Sequence, residues 1–241
     1  MGDLQALQGA ADGWRRIVEA LGVDWPVPGS DDVVPAERLA RYYDGPSVPA
    51  EVAWLHSYVR SGQLVLPEGT YLMDWPSTAK EAFFGLELAW PAPFPWRAQI
   101  PVITNNVLVF TVVLAESHAG EVWRYEIGEE AFAAVRAATD LATLFETWVQ
   151  VGRADGLMLN EVNRFVQLKA DRFQEQYVRG LGVDPFAYPT APLDEEATRR
   201  RQRECGVDMD LVEDVDAWVD LFDEVDATAE RLDAQHRRAR R

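Results

Sequence analysis

The stretch from Ile100 to Val149, IPVITNNVLVFTVVLAESHAGEVWRYEIGEEAFAAVRAATDLATLFETWV, decides the fold. Ile100 to Ile103 has strand character, and Asn105-Asn106 supplies a turn that tolerates positive φ. Val107 to Ala115 is apolar at nearly every position, as in a strand covered on both faces. After the turn Glu116-Ser117-His118-Ala119-Gly120, residues Glu121 to Ile127 alternate. Trp123, Tyr125 and Ile127 share one face while Val122, Arg124 and Glu126 share the other, which predicts a half-buried antiparallel strand. Thr139 is placed to cap a helix on which Leu141, Leu144, Phe145, Trp148 and Val149 fall on one side, so this helix should lie on the sheet. The product is a packed α+β core with no catalytic constellation on it, which points to binding rather than chemistry.

Upstream, Leu4, Leu7, Ala11, Trp14, Val18 and Leu21 form one helical stripe that Gly22 ends. A proline-rich connector, residues 25–30, leads to a short helix from Pro35 to Tyr43 and an amphipathic segment from Val52 to Tyr58. Gln63 to Leu66 and Thr70 to Met73 read as two short strands around the Pro67-Glu68-Gly69 turn. Residues 90–96 hold three prolines among Trp90, Phe94 and Trp96. This stiffened loop is either a preorganised recognition surface or a cap on the open end of the sheet.

Downstream of Gly152 the composition becomes charged. Met158, Val162, Phe165, Phe173 and Tyr177 align roughly, predicting a long helix from Leu157 to Leu181, and a proline-rich break follows at 184–192. Leu211, Val215, Trp218, Phe222, Val225, Ala229 and Leu232 then recur at spacings of four and three. Ten carboxylates and no Lys or Arg lie between Glu204 and Asp226, so this last helix has an apolar seam and an anionic back. Like charges such as Asp216 and Asp220 at i,i+4 repel, so the helix must dock on its own domain, on a second copy through Leu211, Val215, Trp218, Phe222 and Val225, or on a cationic partner. The terminal arginines 237, 238, 240 and 241 suit the helix C-terminus. The expected organisation is an α+β domain over 1–152, a curved mixed or antiparallel sheet flanked by helices, followed by a helical C-terminal extension over 153–241.

The net charge of −17 disfavours direct nucleic-acid binding and attraction to anionic membranes. It would speed encounter with a basic protein. No apolar run is long enough to span a bilayer and the first residues lack the features of a signal peptide, so a cytoplasmic protein is expected. Cys205 allows no internal disulfide and adjoins Arg203 and Glu204. His56, His118 and His236 lie in separate segments, and no metal site, cofactor or phosphate-binding motif is read. Glu121 and Glu126 are the carboxylates through which a hydrolase reading would run, although Glu126 shares a strand face with Arg124 and pairs with it more readily than it acts as a base.

The order of these pieces resembles the SUKH superfamily of SMI1/KNR4 domains. The carrying residues are the Trp14 helix, Leu66-Pro67-Glu68-Gly69-Thr70, Ile100-Pro101-Val102, Gly120-Glu121-Val122-Trp123 and the closing Leu141-Ala142-Thr143-Leu144-Phe145 helix, over about residues 1 to 152. The chain departs from the family pattern at Val48-Pro49-Ala50-Glu51-Val52 and at Thr104-Asn105-Asn106. The resemblance implies a non-catalytic protein that neutralises a cognate bacterial toxin, a nuclease being one candidate for so acidic a chain. The alternative is a regulatory or scaffolding protein that binds host factors through its C-terminal helices. The surfaces assigned to a partner are Trp90, Phe94 and Trp96, together with Asp214, Asp216, Asp220, Asp223 and Glu224.

Overall fold

A computed structural model describes residues 3–27, 42–44, 48–59, 64–74, 76, 78–82, 91–105, 107–126, 134–162, 164–169, 174–189, 194–212 and 214–239. In chain order these form α1 (Leu4–Ala20), α2 (Ala50–His56), β1 (Tyr71–Leu72), α3 (Ala79–Ala82), β2 (Gln99–Thr104), β3 (Leu108–Val113), β4 (Val122–Glu126), β5 (Val135–Ala138), α4 (Leu141–Arg153), β6 (Leu157–Asn160), β7 (Phe165–Leu168), α5 (Gln174–Gly180), α6 (Glu195–Glu204), α7 (Met209–Val212) and α8 (Val215–Ala239). Single 3-10 turns occupy Glu116–His118 and Pro185–Ala187. The helix expected from Pro35 to Tyr43 lies almost wholly outside the described residues, as do Trp90 and Asn106.

The mixed α+β architecture is built on a five-stranded sheet in the order β1-β2-β3-β4-β5. Each strand pairs antiparallel with its sequence neighbour, so the sheet is a meander. Its register places Val109 opposite Tyr125 and Phe110 opposite Arg124. The turn into β3 is fixed by the Asn105 side chain, whose Oδ1 accepts from the Val107 and Leu108 amides.

Helix α1 begins where the Asp3 carboxylate accepts from the Gln5 and Ala6 amides, and it ends at Gly22, whose φ of 84° suits a residue without a Cβ. The cap of α4 is Asp140 rather than Thr139. The Asp140 carboxylate accepts from the Thr143 amide at 2.7 Å, while the Thr139 hydroxyl meets the Thr143 hydroxyl. Leu144, Phe145 and Trp148 of α4 pack with Leu7, Trp14 and Val18 of α1 and with Ile100, Phe110, Val112 and Val122 of the sheet in one core. Trp14 and Trp148 meet edge to face at 5.9 Å, and their indole N–H groups donate to the carbonyls of Val65 and Ala187. The helices approach closely because Gly13 faces Val149 and Gly152 faces Ile17.

Two expectations are corrected by the sheet. Strand β4 is buried at all five positions rather than on one face, because residues 91–98 and 205–212 cover Trp123 and Tyr125 while Arg124 and Glu126 satisfy each other on the opposite side. Residues 64–66 form no strand, and only Tyr71–Leu72 pairs with β2.

The larger correction falls after Gly152. Instead of one helix from Leu157 to Leu181 the chain makes the hairpin β6–β7 and then the short α5. Asp155 and Arg164 both adopt positive φ, which no helix accommodates, and the resulting turns let Leu157, Val166 and Leu168 face the main core. The C-terminal helices then return to the domain, α6 beside β5 and α8 on α3. Val225 and Ala229 of α8 belong to the main core, the Ala79 amide donates to Asp233, and Lys80 pairs with Asp226. Among the described residues no helix is long and apolar enough to cross a membrane.

Candidate functional site

Of the aromatic residues assigned to a partner, Phe94 is turned inward. It is 6% exposed, packs edge to face on Trp123 at 5.0 Å and lies 5.5 Å from the His118 ring. It therefore covers the Trp123 face of the sheet. Trp96 is half-buried between the main core and the cluster around Trp123. On α8 and the residue before it, Asp214, Asp216, Asp220, Asp223 and Glu224 are all exposed. The dimer seam is not free along its length: Val225 is buried in its own core, Leu211 and Phe222 are half-buried, and the side chains of 215 and 218 lie outside the described residues.

Three polar constellations are brought together by the fold. In the first, the Glu121 carboxylate, at the mouth of β4, receives the Trp123 indole N–H at 2.9 Å, the Arg136 guanidinium at 3.1 Å and the His118 ring at 3.0 Å. Burial pushes its pKa up, but these three partners outweigh burial and hold it below the usual carboxylate range. The chain of contacts continues through the Arg136 carbonyl, which accepts from Arg201 Nε, to the Arg201–Asp184 ion pair, with the Arg201 guanidinium over the Phe186 ring at 5.0 Å. Cys205 is buried beside this cluster, and burial raises its thiol pKa.

In the second, Arg124 is fully enclosed. It donates to Glu126 at 2.7 Å and to the Tyr188 carbonyl at 3.2 Å. Arg124 and Glu126 alternate in sequence with apolar residues and so look like a solvated face. The cross-strand position beneath residues 185–188 buries them as a pair.

The third was not signalled by any motif. Glu68, at φ 54° in the turn before β1, sends its carboxylate to the Leu168 amide at 2.8 Å and the Tyr188 hydroxyl at 3.3 Å. Burial lifts its pKa to about 7, against these two hydrogen bonds. The sole sequence cue is the Pro67-Glu68-Gly69 turn, and nothing local discloses a partner a hundred residues away.

Chemically these arrangements are clamps. Glu121 accepts hydrogen bonds from three donors and Glu126 accepts one from the buried Arg124 guanidinium, so both carboxylates are engaged in holding neighbouring segments together. Among the described residues no group of three or more His, Cys, Asp or Glu side chains is arranged to hold a metal ion. No protein-family model matches the chain, and no curated protein matches its sequence.

Proposed function

We propose that this chain is a non-catalytic cytoplasmic protein of the immunity type, which neutralises a basic cognate toxin by binding it. The observation that carries this reading is the way α8 is held. One side is anchored through Val225, Ala229 and Asp233, while Asp216, Asp220, Asp223 and Glu224 remain at the surface. Like charges at 216/220 and 220/224 each cost the helix a few tenths of a kcal/mol. Tertiary anchoring offsets that cost, leaving a fixed negative surface that would accelerate encounter with a positively charged protein and set its orientation. The resemblance of residues 1 to 152 to SUKH domains supplies the toxin as the class of partner. The scaffolding alternative would bind host factors through the same C-terminal helices, and the burial of Val225 and Ala229 leaves it the exposed face of α8.

The test is association with the product of any adjacent toxin-like gene, measured at rising ionic strength. The association rate should fall steeply with salt. Asp220→Lys combined with Asp223→Lys should slow it about tenfold or more while leaving the fold intact. Absent or salt-insensitive binding would remove the proposal.

A further inference from the structure

Helix α8 separates its charges by sign along its length. Its inner side is fixed: Val225, Thr228 and Ala229 are buried, Asp233 accepts from the Ala79 amide and Asp226 pairs with Lys80. On the opposite side, roughly 180° away at about 100° per residue, Asp216, Asp220 and Asp223 lead to Ala227, and Arg231, Ala234 and Arg238 follow it. Ala234 is half-buried and the others are exposed. The row drifts by only about 40° over its roughly 33 Å, so it stays on one line of approach.

None of these charges has an opposite charge one turn away on its own helix. Three and four residues from the aspartates stand only Val, Ala, Asp and Glu, and at the same distances from Arg231 and Arg238 stand only Ala, Thr, Gln and Arg. The helix therefore cannot neutralise this face by itself. A second α8 can. Laid antiparallel with a two-fold axis at Ala227, it sets Asp223 opposite Arg231, each four residues from the axis, and Asp216 opposite Arg238, each eleven residues away. Symmetry makes each pair twice. Ala227 then meets its own copy and Ala234 stands opposite Asp220, so small side chains at and near the crossing let the backbones approach. A parallel arrangement would stack aspartate on aspartate and arginine on arginine.

We propose that two copies of this chain associate through antiparallel α8 helices, solvent face to solvent face and centred on Ala227. This face is opposite the apolar seam, whose Val225 belongs to the core. The pairing calls for no other protein and does not rest on the toxin reading, although it covers Asp216 and Asp223, so that a basic partner would have to displace it. Its strength is bounded. Ion pairs at an exposed surface are individually weak, and Glu230 would flank Asp223 of the second copy. The net charge of −17 on each copy adds long-range repulsion, which ~0.15 M salt confines to about 8 Å. The result is a dimer with a Kd on the order of 0.1 mM.

Sedimentation of the full-length protein from ~10 µM to ~1 mM in ~0.15 M salt should show this monomer–dimer equilibrium. Asp216→Arg with Asp223→Arg, and separately Arg231→Asp with Arg238→Asp, should each weaken it about tenfold or more, because every facing pair becomes repulsive. Mixed together, these two variants should associate again, since each facing pair is then of opposite sign. Under mild oxidation Ala227→Cys should crosslink between copies about tenfold or more faster than Asp216→Cys, whose two copies lie about 33 Å apart, with wild type as the control for Cys205. A monomer across the whole range, a mixture no more associated than its parts, or equal crosslinking from positions 216 and 227 would overturn the pairing.

Discussion

Replacing Gly152 by alanine tests the packing of α1 on α4, because the same substitution should have opposite signs at different glycines of these two helices. In a helix interior Gly→Ala gains about 1 kcal/mol of propensity. At Gly9 nothing lies within 4 Å of the added Cβ, so that gain should appear undiminished as a stabilisation of about 1 kcal/mol. At Gly152 the Cβ would stand 2.6 Å from Ile17 Cδ1 and 2.8 Å from Ile17 Cγ2, roughly 1 Å inside normal carbon contact. Ile17 is β-branched and in a helix has essentially one comfortable χ1, so it cannot swing both methyls aside. The helices must part, at an overpacking cost of about 1–3 kcal/mol, which cancels the propensity gain and leaves a net loss of about 1 kcal/mol. Gly13, whose Cβ would sit 3.2 Å from Val149 Cγ2, should fall between them. Urea unfolding of the three variants, followed by tryptophan fluorescence, should give midpoints in the order Gly9→Ala, Gly13→Ala, Gly152→Ala, with wild type above the last. A Gly152→Ala protein as stable as Gly9→Ala would refute the close approach of the two helices.

Two further perturbations follow from buried charge. Glu126→Gln removes the hydrogen-bonded counter-charge of the enclosed Arg124 guanidinium, leaving it the weaker field of Glu175, and should destabilise the fold by up to about 3 kcal/mol, read as a lower urea midpoint, whereas Arg124→Met with Glu126→Gln should recover part of the loss. Burial lowers the His56 pKa from 6.5 to about 3, so the ring is neutral when folded, and the unfolded chain binds the extra proton. Its contribution is complete above pH 6.5 and is lost toward pH 3 with a limiting slope of about 1.4 kcal/mol per pH unit. His56→Gln should flatten that part of the stability profile in acid, and an unchanged slope would assign the acid sensitivity to other groups.

The central sheet is legible in the sequence because its signals are strong and agree. The run from Val107 to Ala115, apolar at all but Thr111, calls for a cover on both faces, and β3 is buried at every position. The stripe of α1 and that of α4 likewise match their buried faces. The hairpin β6–β7 was misleading because Met158, Val162 and Phe165 are spaced by four and three, and Leu, Met and Glu are good helix formers. Long-range contacts of Val166 with Pro67 and of Leu168 with Glu68 override that local preference, and such contacts leave no trace in a short window of sequence. The same holds for the polar clusters. Arg124 and Glu126 read as solvent-facing because charge usually is, until the segment carrying Tyr188 folds over their face of the sheet, and the shelter of Cys205 shows only once it joins the cluster around Trp123.

The meander has a consequence for how this protein is made on the ribosome. Strands β1 to β5 each find their partner in the segment synthesised immediately before or after, so the sheet can zip up while the rest of the polypeptide is still emerging. Helix α1 meets α2 and the Val65 carbonyl early, but its main partner is α4, so part of its apolar stripe stays uncovered until Leu141 and the residues after it have left the exit tunnel, which makes that face a natural point of engagement for a chaperone during synthesis.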